Sequence, residues 1–157
     1  MARTETLRPA GPMRPTAYTR RLEALAVYAY GAEFLRVALK AGSGLVRLYL
    51  LGHALELLLK SYLLSEGLTP GQLRKHYGHN LAKLLRDAKQ HRVEQLVSIS
   101  AALEADINAF SRVYASKRLE YFSALDLLAP WTVPSERRLK AFVQLFAKRL
   151  KAHLPQP

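Results

Sequence analysis

The sequence predicts an all-α protein, an up-down bundle of four long helices and one short one. Apolar residues recur at spacings of three and four through most of the chain, and no segment shows the strict alternation of a half-buried strand. Leu and Ala dominate and only two Ile are present, which points away from an all-β design. With 157 residues, half of them hydrophobic, the chain has enough apolar material for one domain with a real core. The expected organisation is a disordered basic tail over 1–15, rich in Pro and Arg, followed by a single helical domain over 16–153.

Each element has its own warrant. Thr16 is a plausible N-cap for a first helix that runs to about Lys40, with Leu22, Leu25, Ala29, Ala32, Leu35 and Leu39 at helical spacing. Gly42-Ser43-Gly44 then permits only a hairpin to an antiparallel neighbour. The second helix, about Leu45 to Glu66, is apolar nearly all round, as a central bundle helix should be. Gly67-Leu68-Thr69-Pro70-Gly71 stops it. A basic stretch, Leu73-Arg74-Lys75-His76-Tyr77-Gly78, leads to a short helix from about Asn80 to His91, with Asn80 as N-cap. Leu96, Ile99, Leu103, Ile107, Phe110 and Tyr114 predict one long helix from about Val93 to Ala115. Residues 116–134 contain Pro130, Trp131 and Pro134 and read as an irregular connection. The last helix spans about Ser135 to Ala152.

Charge narrows the function classes. Lys and Arg number 24 against 12 Asp and Glu, a net charge of +12 that leaves polyanion binding open, whether RNA, DNA or a nucleotide. The absence of cysteine excludes disulfide scaffolds, thiolate metal sites and cysteine nucleophiles. No Gly-rich phosphate loop is present, and no cofactor or metal is expected. The first twenty-one residues carry five arginines and three prolines and lack the apolar stretch of a signal peptide. Leu45–Leu64 is the one membrane candidate, but it contains Arg47, His53, Glu56 and Lys60, and a central charge costs ~2.5–3.5 kcal/mol on insertion. It reads as a buried helix of a soluble, cytoplasmic protein.

The words in and after the second helix carry a resemblance. Leu51-Gly52-His53-Ala54-Leu55-Glu56-Leu57-Leu58-Leu59-Lys60, then Gly67, then Gly78-His79-Asn80-Leu81 with Leu84-Leu85, resemble the HEPN domain family (higher eukaryotes and prokaryotes nucleotide-binding). The likeness covers residues 20–120 in order and spacing. It implies a bundle of four or five helices that usually dimerises, in bacterial settings such as toxin–antitoxin, phage-defence or RNA-processing systems. Many members are metal-independent ribonucleases, with an Arg and a His separated by four to six intervening residues on a late helix and a polar residue after the Arg.

Four constellations are candidate sites. Tyr49, His53, Glu56 and Lys60 fall within about 60° of the second helix, either as a packing seam or as a polar site facing a nucleotide or a partner chain. His79 and Asn80 follow at the start of the next helix, His79 bracing the turn beside the Asn80 cap. His76 and His79, with His53 or Glu56, lack a firm metal-ligand spacing. Arg47 with His53, Arg74 with His79, and Arg86 with His91 have the family's Arg–His separation, and composition alone predicts about one or two such pairs. Arg86-Asp87 has the polar follower, which makes Arg86 and His91 the catalytic candidates, but they lie on the short helix rather than a late one. On the last helix Arg137, Lys140, Gln144, Lys148 and Lys151 gather within about 80°, opposite Leu139, Phe142, Val143, Phe146 and Leu150. That face is either solvated or a polyanion footprint, to which Arg74, Lys75, Lys83, Arg86 and Lys89 add charge. Arg118 and Tyr121 stand where many family members carry an adjacent Arg-Tyr pair.

The leading expectation is a HEPN-like protein that binds RNA or a nucleotide, as a ribonuclease, toxin or defence component. The alternative is a catalytically silent homodimer acting as an interaction module for a partner such as a nucleotidyltransferase or an antitoxin. The homodimer is expected because the second helix is too apolar for three helices to cover.

Overall fold

The computed structural model describes residues 16–117 and 134–155. They form an all-helical bundle with α1 at Ala17–Ala38, α2 at Gly44–Ser65, α3 at Pro70–His76, α4 at Leu81–Gln90, α5 at Ala101–Ala115 and α6 at Glu136–His153. A single 3-10 turn, Val93–Gln95, joins α4 to α5. The expected tail over 1–15, most of the 116–134 connection, and Arg118 and Tyr121 lie outside the described residues.

Helix α2 is the hub, and α1, α4 and α6 all pack on it. Ser43 caps it, accepting from the Val46 backbone N–H, and from Arg47 onward no residue of the helix is exposed. The expected surplus apolar face is therefore not on α2. It is on α1, where Tyr18, Leu22, Tyr30 and Val37 are exposed within a sector of about 120°.

The buried face of α1 also differs from the one its leucines suggest. Ala24, Gly31, Leu35 and Ala38 face the core, whereas Leu22 and Leu39 are exposed. Close approach explains the choice: a Cβ on Gly31 would stand 3.2 Å from Leu57 Cβ and Leu58 Cγ. Small residues let the α1 and α2 backbones approach, and the leucines are left to the flanks.

Two further expectations are corrected. The stretch expected to be a basic lead-in is helix α3. Thr69 accepts from the Gln72 N–H and the Gln72 side chain accepts in return from the Thr69 backbone N–H, a capping box with Pro70 in the first turn. The helix expected over Val93–Ala115 is broken. Arg92 takes a left-handed backbone (φ 65), one 3-10 turn follows, and Ser100 starts α5 afresh by accepting from the Leu103 N–H. The described bundle thus holds four long helices and two short ones. Leu103, Ile107, Phe110 and Tyr114 of α5 are buried. Leu139, Phe142, Val143, Phe146 and Leu150 of α6 are buried too. Arg47 pairs with Glu136 at 2.7 Å and Arg138 with Asp106 at 2.7 Å, fixing α6 to α2 and α5. Among the described residues no helix is long and apolar enough to cross a membrane.

Candidate functional site

The polar residues of α2 meet partners from two other elements. Glu56 is only 2% exposed, and its carboxylate accepts three hydrogen bonds. Lys60 Nζ donates to Oε1 at 2.5 Å, one helical turn away. The Tyr114 hydroxyl of α5 donates to Oε2 at 2.7 Å, and His79 Nδ1, from the turn before α4, donates to the same oxygen at 3.0 Å. Tyr114 has one hydroxyl proton and gives it to Glu56, so the 2.9 Å contact with His53 runs from His53 Nδ1–H to the Tyr114 oxygen. The order is His53 to Tyr114 to Glu56. Phe34 packs edge-on against the His53 ring, with centroids 4.3 Å apart.

Two glycines make this assembly possible. A Cβ on Gly52 would lie 2.8–2.9 Å from ring atoms of Phe110 and Tyr114, so a bare backbone is what lets α5 bring Tyr114 to Glu56. Gly78 takes φ 51 and turns the chain so that His79 reaches Glu56 while Asn80 caps α4. Asn80 Oδ1 accepts from the Lys83 N–H at 2.9 Å and from Ser111 Oγ at 3.3 Å. Buried Ser111 in turn accepts from the Ala82 N–H, tying α4 to α5.

Burial works to raise the pKa of the Glu56 carboxyl. The hydrogen bonds from Lys60 and His79, the Lys60 charge and the Tyr114 hydroxyl outweigh it and hold the group below the ordinary glutamate range. Glu56 is therefore an ionised, fully satisfied anchor rather than a proton donor at neutral pH. His53, Glu56, Lys60, His79 and Asn80, separate in sequence, belong to one connected region. Tyr114 and Ser111 complete it. Sequence reasoning assigned Tyr114 to the apolar core and did not single out Ser111, because neither belongs to a polar stripe of its own helix.

Arg86 and His91 are not brought together. Five residues apart, they sit about 140° apart around the helix, and no hydrogen bond or ion pair joins them. Arg86 is exposed and contacts Asp87 at 3.5 Å. His91 ends α4, and its carbonyl accepts from the Tyr62 hydroxyl at 2.5 Å. Burial and the Glu66 charge push that phenol up to about 12, so it stays a donor. Among the described residues no group of three His, Asp or Glu side chains is placed to hold a metal ion.

The basic face of α6 is present as a surface. Arg137, Lys148 and Lys151 are exposed and Lys140 is half-exposed. Arg137, Lys140 and Lys148 have no acidic partner among the described residues. The cations near α4 are more committed: Lys89 pairs with Glu104 at 2.6 Å, and Lys83 Nζ donates to the His76 carbonyl. Arg74 and Lys75 remain exposed. Comparison of the chain with protein-family models, with curated proteins and with solved structures finds no match.

Proposed function

We propose that this is a HEPN-like helical protein that binds RNA or another phosphate polyanion, with the basic face of α6 as its contact surface. The observation that carries the reading is the row Arg137, Lys140 and Lys148, exposed or half-exposed and in no ion pair among the described residues, with the nearby Glu136 taken by Arg47, on a chain of net charge +12. Such a row attracts phosphates and releases their counterions, whereas a face intended only for solubility is ordinarily mixed in sign. The quoted words of the resemblance lie in a single region, Glu56 from one with His79 and Asn80 from the other. Cleavage chemistry is not assigned to Arg86 and His91, since they do not meet.

Reversing Arg137, Lys140, Lys148 and Lys151 to Glu is expected to weaken single-stranded RNA binding well over tenfold. It should also flatten the salt dependence by ~0.7 in the log–log slope for each phosphate that the protein no longer neutralises. Fluorescence anisotropy over a salt series checks both, and an unchanged affinity and slope would reduce the row to a solvated face. His91→Ala should leave RNA binding intact.

The exposed Tyr18, Leu22, Tyr30 and Val37 of α1 favour a second reading, an interaction module that covers this stripe with a second copy of the chain or with a partner protein. Light scattering that finds only a 17.7 kDa species at micromolar concentration would remove the homodimer from that reading.

A further inference from the structure

A cleft of about 470 Å³ opens where α1, α2 and α3 converge, beside the Glu56 region. Val27, Leu57, Leu64, Pro70 and Leu73 line it, and Lys60, Arg74, His79 and Glu23 stand on its wall. The volume is in the range of small-molecule sites, which are apolar with a few placed polar groups. Every apolar side chain of the lining is aliphatic, which favours a flexible hydrocarbon over a flat ring system that gains from stacking.

The polar groups say what the hydrocarbon carries. The Lys60 side chain is only 18% exposed, and its Nζ donates to Glu56. An ammonium has three N–H donors, and no second acceptor for Lys60 is present among the described residues. Taking such donors out of water is costly unless acceptors replace it, and the cleft that Lys60 lines is open to one. Arg74, exposed on α3, forms no hydrogen bond or ion pair among the described residues. Two cations with unspent donors therefore share one aliphatic cleft, and their complement is an anion. A single negative charge fits better than a double one, because Lys60 already shares its charge with Glu56 and Glu23 stands on the same wall.

We propose that this cleft binds an unbranched aliphatic monocarboxylate. The carboxylate accepts from Lys60 and from Arg74, whose planar guanidinium can donate to both oxygens at once. The hydrocarbon lies along Val27, Leu57 and Leu73, and its removal from water supplies most of the affinity. The site shares no residue with the α6 face, so RNA binding there and carboxylate binding here stand or fall separately.

Titration calorimetry of the full chain with hexanoate, octanoate, decanoate, octan-1-ol and octylammonium tests it. Each added methylene is expected to tighten carboxylate binding about fourfold until the cleft is full, the gain from burying one CH₂. Octanoate should bind roughly tenfold tighter than octan-1-ol, the worth of hydrogen bonds to a charged group, and octylammonium more weakly still. Arg74→Ala should shrink the advantage of octanoate over the alcohol, and so should Lys60→Gln, which keeps a donor for Glu56. Ala26→Phe, at an exposed position of α1 lining the same cleft, should fill it and remove octanoate binding with the fold intact by circular dichroism. The α6 charge-reversed chain should keep its octanoate affinity. Any of five results overturns the site: no octanoate binding at millimolar concentration, affinity independent of chain length, octan-1-ol binding as tightly as octanoate, octanoate binding that survives Ala26→Phe, or Ala26→Phe converting a dimer to a monomer, which would give the cleft to a second copy of the chain.

Discussion

Glu56 and Glu23 are two carboxylates on adjacent helices with opposite surroundings. Glu56 is almost wholly buried and accepts from Lys60, His79 and Tyr114. Glu23 is only half-buried, yet one of its oxygens is sealed with no donor. Burial by itself therefore does not tell a satisfied acid from an unsatisfied one. What separates them is whether neighbouring elements supply donors. Around Glu56 three elements do, and the carboxylate becomes a fastener between α2, α5 and the turn before α4. Around Glu23 the small-residue packing of α1 on α2 brings none.

Breaking the satisfied side of the comparison should give the largest effect. Glu56→Ala leaves the largely buried Lys60 ammonium, the Tyr114 hydroxyl and His79 without their acceptor, and is expected to cost about 3–5 kcal/mol in urea unfolding. A loss below about 1 kcal/mol would show that the network is effectively solvated. Acid offers the same test without a large cavity. The folded pKa of Glu56 lies below its unfolded value, so its contribution is complete above the unfolded value of about 4.3 and is lost as the pH falls through the folded value. The stability gap between the parent protein and Glu56→Gln should therefore narrow below about pH 4. A gap constant down to about pH 2 would contradict the ion-pair account.

Tyr114→Phe is the intermediate case. It removes one of Glu56's donors and the acceptor of His53 while keeping the ring against Phe110 and Tyr49, and should cost about 1–3 kcal/mol. Stability equal to the parent would mean that water replaces the hydroxyl. The smallest effect has the opposite sign. Glu23→Met should stabilise the protein by about 0.5–1 kcal/mol, because it removes a sealed oxygen, Oε2, that no described residue satisfies. A destabilised Glu23→Met chain would mean that Glu23 is satisfied in solution and that the contrast with Glu56 is false.

Part of this was legible in the sequence. The gathering of His53, Glu56 and Lys60 on one face follows from helical spacing, and Asn80 and Thr16 cap the helices where their side-chain chemistry suggests. The capping box Thr69–Gln72 was also legible. It was obscured because Gly67, Pro70 and Gly71 read first as the end of α2. The break at Arg92–Ser100 was harder to see, because Leu96 and Ile99 keep the helical period across it and are half-buried without being helical.

By itself the sequence determined where α1, α4 and α6 begin, that α2 is apolar nearly all round, and that the chain carries a basic last helix, since caps and periodicity act within a few residues. Only the tertiary structure decided which acid is satisfied and which is not. Tyr114 stands 58 residues from Glu56 and reaches it because Gly52 has no side chain. The orientation of α1 was likewise decided in three dimensions. Its leucine spacing suggested one apolar face, but the face buried is a neighbouring one, whose small residues let α1 come close to α2.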